Sequence, residues 1–246
     1  MKLKQTQCSK GAFIHLENDL YIPESLVKYD GWENEIYDEC KKYIKPTSNI
    51  IEVGAHIGTH CIPLSKLTNG YVIAFEMQRF IHQILNTNII LNNRYNIITY
   101  KEAVSNQSGE IHVGEVDYTE SSKLRSGLNS GNVKIQQVKM DVGFPIQQIT
   151  LDQKLKGLQN IDLIKVDVEC HELEVLQGAM DIIKRNKPVI VTEYHTVKTK
   201  YTNGNKKEIM ELLPNYSWKE LIGHYELNNK EIYNFNMIGI PDAKME

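Results

Sequence analysis

Three clusters of residues in this chain have the types and spacing to do chemistry. The first is Glu52-Val53-Gly54-Ala55-His56-Ile57-Gly58-Thr59-His60, entered from the apolar pair Ile50-Ile51. A buried strand that ends in an acid and runs into G-x-x-x-G is how a doubly wound sheet builds a floor for an adenosine-containing cofactor. Gly54 and Gly58 let the backbone turn sharply and approach a ligand where a Cβ would collide. The amides opening the next helix then face an anionic group, such as the carboxylate of a methionine moiety. Glu76 closes a second apolar run, Val72-Ile73-Ala74-Phe75. An acid there accepts hydrogen bonds from both ribose hydroxyls, unless it is simply a solvated strand end. Glu102-Ala103 lie just past a third strand, where such folds contact adenine or run into a plain loop.

The second cluster is Ile161 to Glu172. Its buried strand delivers Asp167 and Glu169 to a carboxyl end, where open α/β sheets bind ligands, and a period of two lets both carboxylates project to one side. Burying two acids together raises at least one pKa, which suits a general base near neutral pH. The alternative is that Glu169 and Glu172 cap the following helix, and one of the three acids is expected to do only that. The third cluster is Pro188-Val189-Ile190-Val191-Thr192-Glu193-Tyr194-His195. Glu193 and His195 fall two apart, on one face, and a histidine steadied by a carboxylate is a natural proton acceptor. His56 and His60 are spaced i, i+4, but His56 lies inside the glycine turn and no third ligand is near, so no metal is expected. His171 beside Glu169 and Glu172 adds little to a divalent-cation reading.

These residues need a frame. Alternation around Asn18-Asp19 reads as a hairpin over 12–22, and apolar residues at helical spacing place a helix over 31–44, stopped by Pro46. Then come a strand over 49–53, a helix beginning near Gly58, a strand over 71–76, an amphipathic helix over 78–92 and a strand over 96–100. Region 109–150 breaks the alternation. Its glycines and the run Val133–Val138 read as an inserted hairpin with a polar loop at Thr119–Gly131. Strand 161–168, helix 171–185 and strand 188–194 resume the pattern. Two apolar runs, Tyr216–Ile222 and Asn234–Ile240, end it without an intervening helix, which places one strand antiparallel in an otherwise parallel sheet. Segment 29–37 and loop 119–131 are expected to cover the acceptor.

At 246 residues and 28.3 kDa the chain can bury a full core. A net charge of -3 argues against a duplex nucleic-acid partner, which would need a basic face. Four scattered cysteines without a C-x-x-C pair suggest neither zinc nor a disulfide framework and suit a reducing compartment. No signal-peptide core and no run of about 20 apolar residues is present, so a soluble, cytoplasmic protein with no membrane partner is expected.

Taken together, these segments resemble the FkbM family of S-adenosylmethionine-dependent methyltransferases, from about Trp32 to Ile240. The family's D-V-G-A-N-x-G is similar to Glu52 through Gly58, and its following Thr-His to Thr59-His60. F-E-P-Q resembles Phe75-Glu76-Met77-Gln78, helix asparagines match Asn88 and Asn92, and Ala-Val matches Ala103-Val104. T-L-D followed by D-L-I-K-x-D-V-E-G-x-E-x-x-V-L-x-G-A is similar to Thr150-Leu151-Asp152 and then Asp162 through Ala179. The closing P-x-x-x-x-E resembles Pro188 to Glu193. Three positions depart: His56 for Asn, Met77 for Pro, and Cys170 for Gly. The last either reshapes the acceptor pocket or shows that this turn needs no positive φ.

The resemblance implies an α/β fold, a Rossmann-like class I methyltransferase. It has a mostly parallel seven-stranded sheet with an antiparallel C-terminal strand, helices on both faces and an N-terminal extension. Residues 1–246 form a single domain, with 1–46 the extension and 47–246 the core carrying the insert. It implies S-adenosylmethionine as cofactor and methyl transfer to a hydroxyl of a small-molecule or glycan acceptor, a sugar or other natural product; a homodimer is a possible assembly. The cofactor set becomes Glu52, Gly54, Ala55, His56, Ile57, Gly58, Thr59, His60, Glu76, Met77, Glu102, Ala103 and Asp167. His195, Asp167, Glu169 and Glu193 are the catalytic candidates, with His195 or Asp167 as base and Glu169 and Glu193 orienting acceptor hydroxyls. One rival is a nicotinamide-dependent oxidoreductase, disfavoured by G-x-x-x-G in place of G-x-G-x-x-G. A second is an inactive relative that recognises a glycan or protein. Nucleic-acid methylation lacks both a basic face and the Asn/Asp-Pro-Pro-Tyr/Phe tetrad.

Overall fold

The computed structural model describes residues 2–113, 144–194 and 205–244. The chain opens with β1 (Leu3–Cys8) and β2 (Gly11–Leu16), α1 (Ile22–Lys28) and α2 (Asn34–Cys40). The alternating part follows: β3 (Asn49–Val53), α3 (Cys61–Ser65), β4 (Val72–Phe75), α4 (Arg79–Leu91) and β5 (Ile97–Tyr100). A small sheet of β6 (Ala103–Val104), β7 (Gly109–Val113) and β8 (Phe144–Ile149) leads through α5 (Leu151–Lys154) to β9 (Ile161–Val166). After α6 (Glu172–Gln177), α7 (Met180–Asn186) and β10 (Val189–Glu193) come α8 (Lys206–Leu212), β11 (Tyr216–Leu227) and β12 (Lys230–Pro241).

The main sheet has seven strands in the order β11-β12-β10-β9-β3-β4-β5. It is parallel from β10 to β5, and β12 pairs antiparallel with both β10 and β11. Strand parity sorts side chains between its faces. Ile50, Val72, Leu163, Val191 and Ile238 pack toward α3, α4 and the N-terminal segment. Ile51, Ile73, Ile164, Ile190 and Met237 pack against α5 to α8. The first face also takes in Phe13, Leu16, Leu26 and Ile36, so the N-terminal segment shares a core with the sheet.

Two asparagines hold that segment in place. On α4, Asn88 accepts from the Ile14 amide (2.6 Å) and donates to its carbonyl (3.0 Å), and Asn92 does the same for Ala12 (2.9 and 2.6 Å). Residues i, i+4 on a helix are about 6 Å apart along its axis, and i, i+2 on a strand about 6.6 Å. The two side-chain amides therefore stand in for a partner strand along β2.

The hairpin turns at Ser9-Lys10, with Cys8 opposite Gly11, and not at Asn18-Asp19, which instead lead into α1. The helix expected near Gly58 begins at Cys61, because Gly58 and its neighbours still form the turn. The helix expected over 171–185 is two, α6 and α7, separated at Gly178-Ala179. A Cβ on Gly178 would lie 2.0 Å from the Ser105 carbonyl oxygen, so the chain must yield there to the small sheet. The ends of the inserted hairpin are β7 and β8, paired antiparallel; Val133–Val138 and loop 119–131 lie outside the described residues. No helix among the described residues is long and apolar enough to cross a membrane.

Candidate functional site

A cavity of about 410 Å³ opens at the carboxyl ends of β3, β4, β9 and β10. Of the sequence candidates, Glu52, Gly54, Ala55, His56, Thr59, His60, Glu76, Met77, Glu102, Ala103, Asp167, Glu169 and Glu193 reach its wall. Ile57 and Gly58 do not. Ile57 is core, its carbonyl bonded by Asn88 Nδ2 (2.9 Å), and a Cβ on Gly58 would meet Ile62 and Leu85 at 2.9 Å. His195 lies outside the described residues.

Close backbone approach defines the floor. Gly54 has φ +83°, and a Cβ there would sit 1.8 Å from the Asp167 carbonyl oxygen. The glycine is thus required by the neighbouring strand's end, which brings the first two clusters together. His56 has φ 49°. Histidine shares with asparagine a tolerance of the left-handed region, which accounts for the exchange at this position.

Glu76 is buried at the end of β4. Its Oε2 accepts from the His56 amide (2.9 Å) and its Oε1 from the Gln78 amide (2.8 Å). Burial pushes its pKa up to about 7 against the pull of those two amides. A carboxylate has about four acceptor sites, so capacity for two further donors remains. Glu102 is ion-paired to Lys154 (2.7 Å), whose ammonium lies over the Tyr100 ring, and its Oε2 makes no hydrogen bond.

Beside them lies a buried charge cluster. Lys165, 2% exposed, places Nζ 3.1 Å from Asp167 Oδ2 and 3.7 Å from Glu52 Oε1. Burial alone would lower the lysine pKa, but Asp167, Glu52 and Glu33 together hold it above its ordinary value. Burial raises Glu52 to about 7, with Lys165 opposing. His60 is held well below its ordinary value, by burial first and then by Lys165, and so is neutral at pH 7. Parity explains the grouping. Glu52 pairs with Lys165 across β3 and β9, Glu193 with Asn236 across β10 and β12, and all four continue the face of Ile50, Leu163, Val191 and Ile238.

The turn after β9 corrects one expectation. Glu169 (φ 55°) and Cys170 (φ 78°) are both left-handed, so the turn does adopt the positive φ that glycine would favour. Such residues cost about 1–3 kcal/mol each and persist where surroundings over-determine them. Here Glu172, fully buried, supplies that: its Oε1 accepts from the amides of Val168 (3.2 Å) and Cys170 (3.1 Å), and its Oε2 accepts from Asn205 (2.6 Å). Glu172 is therefore the acid of the three that serves structure. His171 turns away, its Nε2 2.9 Å from Ser105 Oγ. No His, Cys, Asp or Glu group suited to a metal occurs among the described residues.

Sequence reasoning missed Glu33, Asn234 and Asn236, all in the wall. Signals existed. Glu33, which caps α2, stands in the sequence at i-3, i-4 and i-7 from Ile36, Tyr37 and Cys40, the spacing of an apolar stripe. Asn234 and Asn236 share the parity of Ile238 on β12.

The fold and the cavity at its strand ends are those of a Rossmann-like methyltransferase. TomG from Streptomyces achromogenes, an O-methyltransferase of tomaymycin synthesis solved with S-adenosylmethionine, matches with TM-score 0.53 at 10% identity, covering 85% of this chain and 78% of its own. An O-methyltransferase from Bacillus cereus solved with S-adenosylhomocysteine matches with TM-score 0.51 at 15% identity, covering 92% and 83%. A methyltransferase FkbM from Methylobacillus flagellatus KT is 17% identical at TM-score 0.49 over 80% of this chain, which spans only 44% of that chain's length. No curated protein matches. The sequence profile of the methyltransferase FkbM domain matches residues 52–221, well over half of the chain. The protein belongs to the FkbM methyltransferase family, whose cofactor is S-adenosylmethionine.

The residues present fit that cofactor. Glu76 keeps free acceptor capacity, the Gly54 turn opens onto the cavity, and seven acidic side chains against one lysine line it, which suits a cationic sulfonium and opposes a pyrophosphate.

Proposed function

We propose that the chain methylates a hydroxyl oxygen of a small-molecule or glycan acceptor, a sugar or other natural product, within a single domain formed by residues 1–246. The acid-lined cavity over the strand ends, with Glu76 and the Gly54 turn in its wall, carries this reading. Glu76 accepts from the ribose hydroxyls with the capacity its two amide bonds leave open. Glu52, Gly54, Ala55, His56, Thr59 and His60 hold the methionine end, and Met77, Glu102 and Ala103 the adenine. Bound S-adenosylmethionine supplies an activated methyl on sulfur. What remains for the protein is to align the acceptor oxygen in line and to take its proton.

Asp167 is the candidate base within the described residues, one oxygen held by Lys165 so that its carboxylate is fixed in orientation. His195 is the second candidate, and Glu169 and Glu193 orient acceptor hydroxyls. The O-methyltransferases of like fold favour oxygen over nitrogen as the acceptor atom. The test is transfer of labelled methyl to a panel of methyl glycosides by the wild type, Asp167→Asn and His195→Ala. The residue acting as base should lose at least about 100-fold in turnover. Cofactor binding with no transfer to any acceptor would contradict catalysis and favour a recognition module.

A further inference from the structure

Glu33 combines three features that are each costly. It begins α2 in the left-handed region (φ 47°), its side chain is buried (4% exposed), and its Oε2 makes no hydrogen bond. Glu33 Oε1 accepts from Asn236 Nδ2 (3.4 Å), while Oε2 is left unpaired with His60 Nε2 3.7 Å away. Asn236, 2% exposed, has its own Oδ1 unpaired, and Asn234 has Nδ2 buried and unpaired. Buried polar atoms are normally bonded, and several unpaired ones facing a single cavity point to a ligand that satisfies them. The three residues present two acceptors and a donor. Beside them in the wall is Trp32, stacked on Tyr225 with centroids 6.3 Å apart and planes 12° apart, which fixes an apolar plate.

We propose that Glu33, Asn234 and Asn236 form the specificity-determining subsite for the acceptor. They take adjacent hydroxyls of a pyranose-type ring whose apolar face rests on Trp32. All four residues lie outside 52–221, the stretch that the family profile matches. On this reading the stretch matched by the family profile binds the cofactor, and residues on either side of it choose the acceptor. Vicinal hydroxyls offer two donors to Glu33 Oε2 and Asn236 Oδ1, and oxygens that accept from Asn234 Nδ2. Burial holds the Glu33 carboxyl up at about 8, which lets it also donate when protonated. This assignment rests on the methyl-transfer reading.

The test uses the full chain saturated with S-adenosylhomocysteine and titrated with the methyl α-pyranosides of glucose, mannose and galactose, followed by saturation-transfer NMR and calorimetry. At least one glycoside should bind the wild type. Glu33→Gln and Asn236→Leu should weaken it by roughly 10-fold or more, with S-adenosylhomocysteine affinity unchanged. Glu33→Gln should melt no lower than the wild type, which separates a ligand-binding role from a structural one. Unchanged glycoside affinity in both variants, or no glycoside bound to a wild type that does bind S-adenosylhomocysteine, would overturn the subsite and leave the methyltransferase reading standing. A wild type that fails to bind S-adenosylhomocysteine would remove both.

Discussion

The cavity has two walls that differ in how far their own chain anchors their polar groups. On the wall from β3, β4 and the turn after β9, most acids are anchored, although Glu52 Oε2 and Glu102 Oε2 make no hydrogen bond. Glu76 accepts two backbone amides and Asp167 the Lys165 ammonium, while Glu172, outside the lining, holds the turn through two amides and an asparagine. On the wall from α2 and β12, Glu33 Oε2, Asn234 Nδ2 and Asn236 Oδ1 are buried and unpaired. The first wall is largely preorganised by its own chain, and the second, as proposed above, is completed by the acceptor. The anchored Glu76 and Asp167 lie within 52–221, the stretch that the family profile matches, and Glu33, Asn234 and Asn236 lie outside it.

The most disruptive way to break this contrast is to remove the charge that joins the walls. Lys165→Met leaves Glu52, Asp167 and Glu33 without their shared cation and should cost about 3–5 kcal/mol of stability, read by chemical denaturation. Gly54→Ala drives a Cβ into the Asp167 carbonyl at positive φ, and should cost about 3 kcal/mol or more and abolish cofactor binding. Glu76→Ala should leave the fold intact and weaken S-adenosylhomocysteine by about 10- to 100-fold in calorimetry, since it removes hydrogen bonds to a charged group.

The opposite wall should respond with the reverse sign. Burial raises Glu33 from 4.5 to about 8, with Asp167, Glu35 and Glu193 adding to the shift and Lys165 opposing it; neutral His60 faces it from the start of α3. A raised carboxyl pKa contributes stability below pH 4.5 that is lost as pH rises through about 8. Glu33→Gln has no such loss. Its melting advantage over the wild type should be absent below pH 4.5 and reach about 1–3 kcal/mol above pH 8. An advantage that shrinks with rising pH would contradict the burial argument. The smallest effect is expected at the strained turn, where Cys170→Gly should stabilise by about 1 kcal/mol in thermal melts.

The sheet was legible because apolar runs of four to six residues between helical periods leave few topologies, and an ending without a helix between its strands implied the antiparallel hairpin. The anchored wall was legible for a related reason: Glu52, Gly54, Glu76 and Asp167 sit at fixed offsets from strand ends. The hairpin turn was misplaced because Asn18-Asp19 carries stronger turn chemistry than Ser9-Lys10. The break between α6 and α7 depends on the Ser105 carbonyl, which is remote in sequence. The role of Glu33 was hidden by distance as well. Its spacing from Ile36, Tyr37 and Cys40 hints at burial, but only the fold places it opposite β12, some 200 residues away.

The central claim is that the two walls are separable, and one measurement addresses it directly: calorimetric affinity for S-adenosylhomocysteine in the wild type, Glu76→Ala and Glu33→Gln, with NADH as control. Micromolar binding by the wild type and Glu33→Gln, a large loss in Glu76→Ala and no heat with NADH is the predicted result. Equal losses in both variants, equal retention in both, or binding of NADH would contradict the division of the cavity described here.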